Sequence, residues 1–121
     1  MNAKELADTV VALGVGRQGT AISADGVGFY YTPTDENTHE EEGLYSKLFV
    51  RDWRVAGALM EKVSVFDNPK DDGNFEVQSW HEHGKHWVML DSSQGWYGSK
   101  EWKNDSLPRA IIEACVEALS E

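Results

Sequence analysis

Only one cysteine, Cys115, occurs in the 121 residues, so no internal disulfide can form and a reducing compartment is expected. No apolar run approaches the ~18 residues that crossing a bilayer requires. Met1 to Gly16 carries Lys4, Glu5 and Asp8 where a signal peptide has a continuous apolar centre. The expectation is a cytoplasmic protein with no membrane segment and no export signal. Positive charge is also scarce: 11 Lys and Arg stand against 21 Asp and Glu, a net charge of −10 with His neutral. Nucleic-acid affinity is largely neutralisation of phosphates by Lys and Arg, so direct binding to DNA or RNA is not expected. No repeat with a period of ~20–50 residues occurs.

What the chain does contain is enough apolar material to fold. Hydrophobic residues make up 40% and aromatics 11%, including five Trp, four Tyr and four Phe. The length suits a single domain over residues 1–121. The acidic balance has a plain reading, solubility, and a functional one, electrostatic steering of basic partners, among them proteins that themselves hold nucleic acid.

Ala3, Leu6, Ala7, Val10 and Val11 recur at offsets of three and four, which predicts an amphipathic helix over Asn2 to Leu13, ended by Gly14 or Gly16. Around Asp25-Gly26, Val27, Phe29 and Tyr31 alternate with Gly28 and Tyr30, the pattern of a β-hairpin between Arg17 and Thr32. Residues 33–43 contain no aliphatic side chain and hold Asp35, Glu36, Glu40, Glu41 and Glu42, half of the excess negative charge. This predicts an exposed acidic loop. Leu44 to Val50 reads as a short strand or turn. Asp52 can cap a second helix, running to about Lys62, whose buried stripe is Trp53, Ala56, Gly57, Leu59, Met60 and Val63.

Asp67 to Gly73 is turn chemistry. Beyond it, Phe75 to Trp80 and Trp87 to Leu90 predict an antiparallel pair, and Trp96, Tyr97 and Trp102 suggest a further short strand or a covered edge. Ser106 then caps a last helix before Leu107-Pro108, with Ala110, Ile111, Ala114, Cys115, Ala118 and Leu119 as its apolar stripe and Ile112 and Val116 widening it. The expected fold is α+β, helices packed on an antiparallel sheet as a layered sandwich, in the order α-β-β-α-β-β-α.

Four groups of residues bear on chemistry. His81 and His83 would share one face of a strand, with His86 returning across a tight turn, which opens a metal-binding reading. The plainer one is a polar hairpin tip. Asp67 to Gly73 departs from a calcium loop, with Pro69 at position three and Asp72 where glycine is needed. Gly14-Val15-Gly16 follows a helix rather than a strand, which argues against a phosphate cradle. Cys115 lies on the apolar stripe of the last helix and is expected to pack as a small hydrophobe. No catalytic residue, metal or cofactor is expected. Candidate partner-binding residues are Asp35, Glu36, Glu40, Glu41 and Glu42, an array that can mimic phosphates, together with Trp96 and Trp102 as interface anchors. Solvation of the loop, and cover of a sheet edge by the tryptophans, are the plainer alternatives.

Two segments, Asp52 to Lys62 (DWRVAGALMEK) and Ser106 to Leu119 (SLPRAIIEACVEAL), resemble the phage ABA sandwich domain family of small bacteriophage and prophage proteins. In that family an N-terminal helix precedes the first strands, a middle helix follows an aromatic segment, and a helix opened by a similar Ser-Leu-Pro run closes the chain. The resemblance implies a phage accessory protein in a bacterial cytoplasm and transfers no catalytic residue, and the acidic loop lies outside it. The function expected is non-catalytic binding of a protein with a basic surface, including inhibition of a host defence complex such as a CRISPR effector. The alternatives are a metal-binding module or metal-dependent enzyme built on His81, His83 and His86, and a small virion component. The oligomeric state stays open.

Overall fold

The computed structural model describes residues 1–33, 42–67, 75–92 and 101–120. Its elements follow in the order α1 (Ala3–Ala12), β1 (Arg17–Ile22), β2 (Gly28–Tyr31), β3 (Gly43–Tyr45), α2 (Ser46–Phe49), α3 (Trp53–Asp67), β4 (Phe75–Glu82), β5 (Lys85–Ser92), β6 (Trp102–Asn104) and α4 (Leu107–Leu119). The fold is α+β, with two antiparallel three-stranded sheets, β1-β2-β3 and β4-β5-β6. The single sheet expected from sequence is therefore two. Each sheet is built from neighbouring segments of the chain, and the long helix α3 separates them in sequence. Relative to the expected order, β3, α2 and β6 are additional, with β3 and β6 where Leu44 to Val50 and the segment ending at Trp102 suggested short strands. They are three or four residues long, too short to leave a periodic signal.

Local chemistry accounts for the elements that the sequence foretold. The Asn2 side chain caps α1 by accepting from the Glu5 amide at 2.9 Å, and Leu6, Ala7 and Val10 are its buried stripe. The helix stops where Gly14, at φ +89°, takes the left-handed conformation and donates its N–H to the Val11 carbonyl. Ser106 caps α4 through Arg109, with Pro108 in the first turn, and Ala110, Ile111, Ile112, Ala114, Cys115, Val116 and Ala118 are buried. α3 runs on to Asp67, past the expected end at Lys62, because no helix breaker occurs before Pro69.

Trp53, expected in the core, is displaced: it is 58% exposed. The buried stripe of α3 is Val55, Ala56, Leu59 and Val63, and at 100° per residue Trp53 lies roughly a quarter-turn away from its centre. α4 packs against α3 and against β5 and β6, while α2 packs against β2, β3 and α1. The buried residues, Leu6, Val10, Tyr30, Phe49, Leu59 and Ile112 among them, form a hydrophobic cluster between these helices and the sheets.

Tyr30 ties the first sheet to the core. Its ring is fully buried and lies 5.1 Å from that of Phe49, and its hydroxyl donates to Asp8 of α1. Burial and the Asp8 carboxylate together hold the phenol well above its usual range. Strand parity then sends Phe29 and Tyr31 to the opposite face. There the Phe29 ring covers the positions where a side chain at Gly19 or Gly43 would stand, leaving no room for a Cβ at either.

Replacing a stripe residue and the off-stripe tryptophan separates the two roles on α3. Leu59→Ala is expected to lower unfolding free energy by about 3 kcal/mol, and Trp53→Ala by less than about 0.5 kcal/mol, as read by urea denaturation. Comparable losses would show Trp53 to be part of the core.

Candidate functional site

The acidic segment joins β2 to β3, two adjacent antiparallel strands in which Tyr31 pairs with Gly43. Beyond that pair, the buried Thr32 donates both its amide, at 3.0 Å, and its hydroxyl, at 3.1 Å, to the Glu42 carbonyl. The two ends of the connection therefore meet at a closed stem. Asp35, Glu36, Glu40 and Glu41 lie outside the described residues. Glu42 is described, and its side chain is 58% exposed.

A second contact fastens the stem to α3. Arg54 Nη2 lies 2.8 Å from Glu42 Oε2, while the same guanidinium grips Asp52 through Nε–Oδ1 at 3.0 Å and Nη2–Oδ2 at 2.8 Å. Asp52 also caps the helix, as its sequence position suggested, accepting from the Arg54 amide at 2.8 Å. Burial alone would raise the Asp52 carboxyl, but the hydrogen bonds and charge of Arg54 outweigh it and hold the group below the usual range. The Asp52 contact, before burial and Glu42, sets the direction for Arg54, whose pKa rises. Thr32 and Arg54 are the residues that sequence reasoning did not single out. Arg54 carried a signal, a cation two residues after a capping aspartate. Thr32 carried none, since its partner is a backbone carbonyl ten positions away.

The structure separates the remaining candidates. Trp102 is not an exposed anchor: it is 7% exposed, pairs with Val88, and its indole N–H donates to Glu117 of α4 at 2.8 Å. Its inward position follows from sharing its face of the sheet with the buried Val88. Trp96 lies outside the described residues, as do positions 68–73 of the turn compared with a calcium loop. His81 and His86 form a cross-strand pair with ring centroids 4.8 Å apart, but His83 sits in the turn at φ +54° and contacts Glu82 instead. The three imidazoles do not converge. Among the described residues no group of three His, Cys, Asp or Glu is placed to hold a metal ion.

Cys115 is fully buried, and burial pushes its thiol up to about 12, away from the thiolate a nucleophile needs. An open groove of about 680 Å³ beside Pro33 is lined mainly by Leu13, Val15, Ala58 and Leu119, with Glu61 and Lys62 its ionisable groups among the described residues. No described helix is long and apolar enough to cross a membrane. Neither a protein-family model, nor a curated protein, nor a solved structure matches the chain.

The carboxylates with described partners set an acid limit. Asp8 is held down chiefly by the Tyr30 hydroxyl, Asp25 by Ser23, and Asp52 by Arg54 against the effect of burial, all below the ordinary 3.8. A carboxyl whose folded pKa is depressed contributes stability that is complete above its unfolded value and lost as pH falls through the folded one. Melting temperature should therefore hold above about pH 4 and drop below it. Asp52→Asn, which keeps a capping oxygen but no charge, should flatten that acid limb. An unchanged limb in this variant would remove Arg54–Asp52 from the account.

Proposed function

We propose that the protein acts by binding another protein that presents a Lys- and Arg-rich surface, and that it carries out no chemistry of its own. The observation that supports this most directly is the closed stem. Thr32 and Arg54 hold both ends of a short connection that carries Asp35, Glu36, Glu40, Glu41 and Glu42. Anchoring the two ends lowers the ordering cost of presenting those carboxylates to a basic groove. A net charge of −10 steers such a partner toward the molecule and repels nucleic acid.

The proposed setting is the bacterial cytoplasm, and the proposed role that of a phage or prophage accessory protein. Its partner would be a host defence complex, such as a CRISPR effector, whose nucleic-acid groove takes the carboxylates in place of phosphates. The resemblance carried by Asp52 to Lys62 and Ser106 to Leu119 supports that origin. The helix-on-sheet layering of that family belongs to the same proposal, and the packing of α4 on β5 and β6 and of α2 on β2 and β3 is in keeping with it.

The test changes Asp35, Glu36, Glu40 and Glu41 to their amides and leaves Glu42, so that the Arg54 contact survives. Affinity for an Arg-rich peptide, followed by calorimetry at low and high salt, should fall by about tenfold at low salt, or ~1.4 kcal/mol, and converge with the parent at high salt. Equal affinity at every salt concentration would reject the acidic connection as the binding element.

A further inference from the structure

From the described strands we infer a second docking surface: the free edge of β4 accepts an extended strand of a partner protein that carries Lys or Arg at every second residue. The argument begins with the edges. β1 is interrupted by a register shift between Gln18 and Ile22, and β3 and β6 are three residues each. β4 is different: its eight residues pair with β5 without a break from Phe75↔Ser92 to Glu82↔Lys85. A regular edge of this kind is a template for strand addition, which proteins ordinarily block with charged side chains, Lys above all, or with Pro, a bulge or shortness. The only carboxylates of β4, Glu76 and Glu82, repel an acidic strand but not a basic one. The sequence FEVQSWHE contains no Lys or Pro.

Hairpin geometry identifies the groups on offer. His83 and Gly84, at φ +54° and +75°, make a two-residue turn of the primed type, so Glu82 and Lys85 are a hydrogen-bonded pair. Alternation along the ladder turns the N–H and C=O groups of Glu76, Gln78 and Trp80 toward β5, and those of Val77, Ser79 and His81 off the edge. Among the described residues, no backbone group outside the ladder meets them.

The side chains specify the occupant. Lys103, Trp87 and Trp80 form one row across the outer face. The two indoles are parallel within 9° at 6.1 Å between centroids, and Lys103 Nζ lies 5.3 Å from the Trp87 ring. Trp87 thus has a cation on one side and Trp80 on the other, while the far side of Trp80 faces past the edge. On an added strand, the residue opposite Trp80 occupies a non-hydrogen-bonded position, where side chains approach most closely. A Lys or Arg there would do for Trp80 what Lys103 does for Trp87. Glu76, four residues before Trp80, and Glu82, two residues after it, are both exposed on the same face and would meet further cations of an alternating strand. A second copy of β4 paired about Ser79 would instead set Glu76 against Glu82, like charges directly opposed. The inference does not rest on the acidic connection, which belongs to the other sheet.

The probe is a short synthetic peptide alternating Arg and Thr, titrated into the full chain and followed by amide exchange and Trp fluorescence. Binding should protect the Val77, Ser79 and His81 amides. It should weaken by about tenfold or more with a peptide of equal charge N-methylated on its edge-facing amides, since only the backbone bonds are lost. Ser79→Pro, which removes an outward N–H and no ladder bond, should retain the circular dichroism of the parent and lose the same increment. Equal binding of the N-methylated peptide would overturn the inference whether or not that variant folds. Protection confined to other strands, or pairing of two copies through β4 without peptide, would overturn it as well.

Discussion

Burial of Tyr30 is the constraint from which the first half of the molecule follows. With its ring packed on Phe49 and its hydroxyl given to Asp8, the residue can face only one way, and period-two alternation then decides the face of every neighbour in β2. Phe29 and Tyr31 are forced outward. Phe29 lies across the glycines of both flanking strands, contacts Tyr31 and Tyr45 edge-on, and leaves no room for a side chain at Gly43. The register that brings Thr32 to the Glu42 carbonyl is the next consequence, because Tyr31↔Gly43 is the last ladder pair before the stem.

The two sheets present their charge in different ways. In the first, carboxylates are concentrated in a connection whose ends are joined by hydrogen bonds and tied to α3 through Arg54. In the second, Glu76 and Glu82, the latter in contact with His83, flank a tryptophan row on a strand whose outer backbone groups meet no partner among the described residues. As proposed binding elements for a basic protein, the two would act through different physics. The connection relies on net charge, which salt screens over a Debye length. The edge relies on directional backbone bonds with charge as a secondary selector. Neither needs a metal or a nucleophile, and the described histidines and the cysteine are engaged elsewhere: His81 against His86, His83 with Glu82, Cys115 in the core.

Much of this was legible in the residues and some of it was not, for identifiable reasons. Caps announced themselves at Asp52 and Ser106 because a short side-chain acceptor before an apolar periodic run has few other uses, whereas the Asn2 cap emerged only in the structure. The stripe of α4 was readable except at its ends, where Pro108 is buried and Leu119 only partly so, and that of α3 was misjudged at Trp53 because hydrophobicity outweighed phase. The histidine cluster looked like a ligand set because spacing in sequence cannot say that His83 occupies the turn. The Trp80–Trp87 pair was in principle visible, each residue standing three positions from the His83-Gly84 turn, but the pairing that brings Lys103 of the suggested short strand into the row was not.

Composition and periodicity by themselves determined that this is an acidic α+β chain, with helices near residues 3, 53 and 107, two hairpins, and an acidic connection between the first strands and the middle helix. These properties are local, since a few neighbouring side chains suffice to cap a helix, close a turn or keep a run of carboxylates in water. Tertiary structure alone decided that the strands form two sheets rather than one, that Trp102 is inside and Trp53 outside, that Arg54 reaches back to Glu42, and that among the described residues no strand pairs with the outer edge of β4. Each of those depends on which distant segments meet, and contacts between distant segments follow from the packing of the whole core rather than from any pattern within a window of residues.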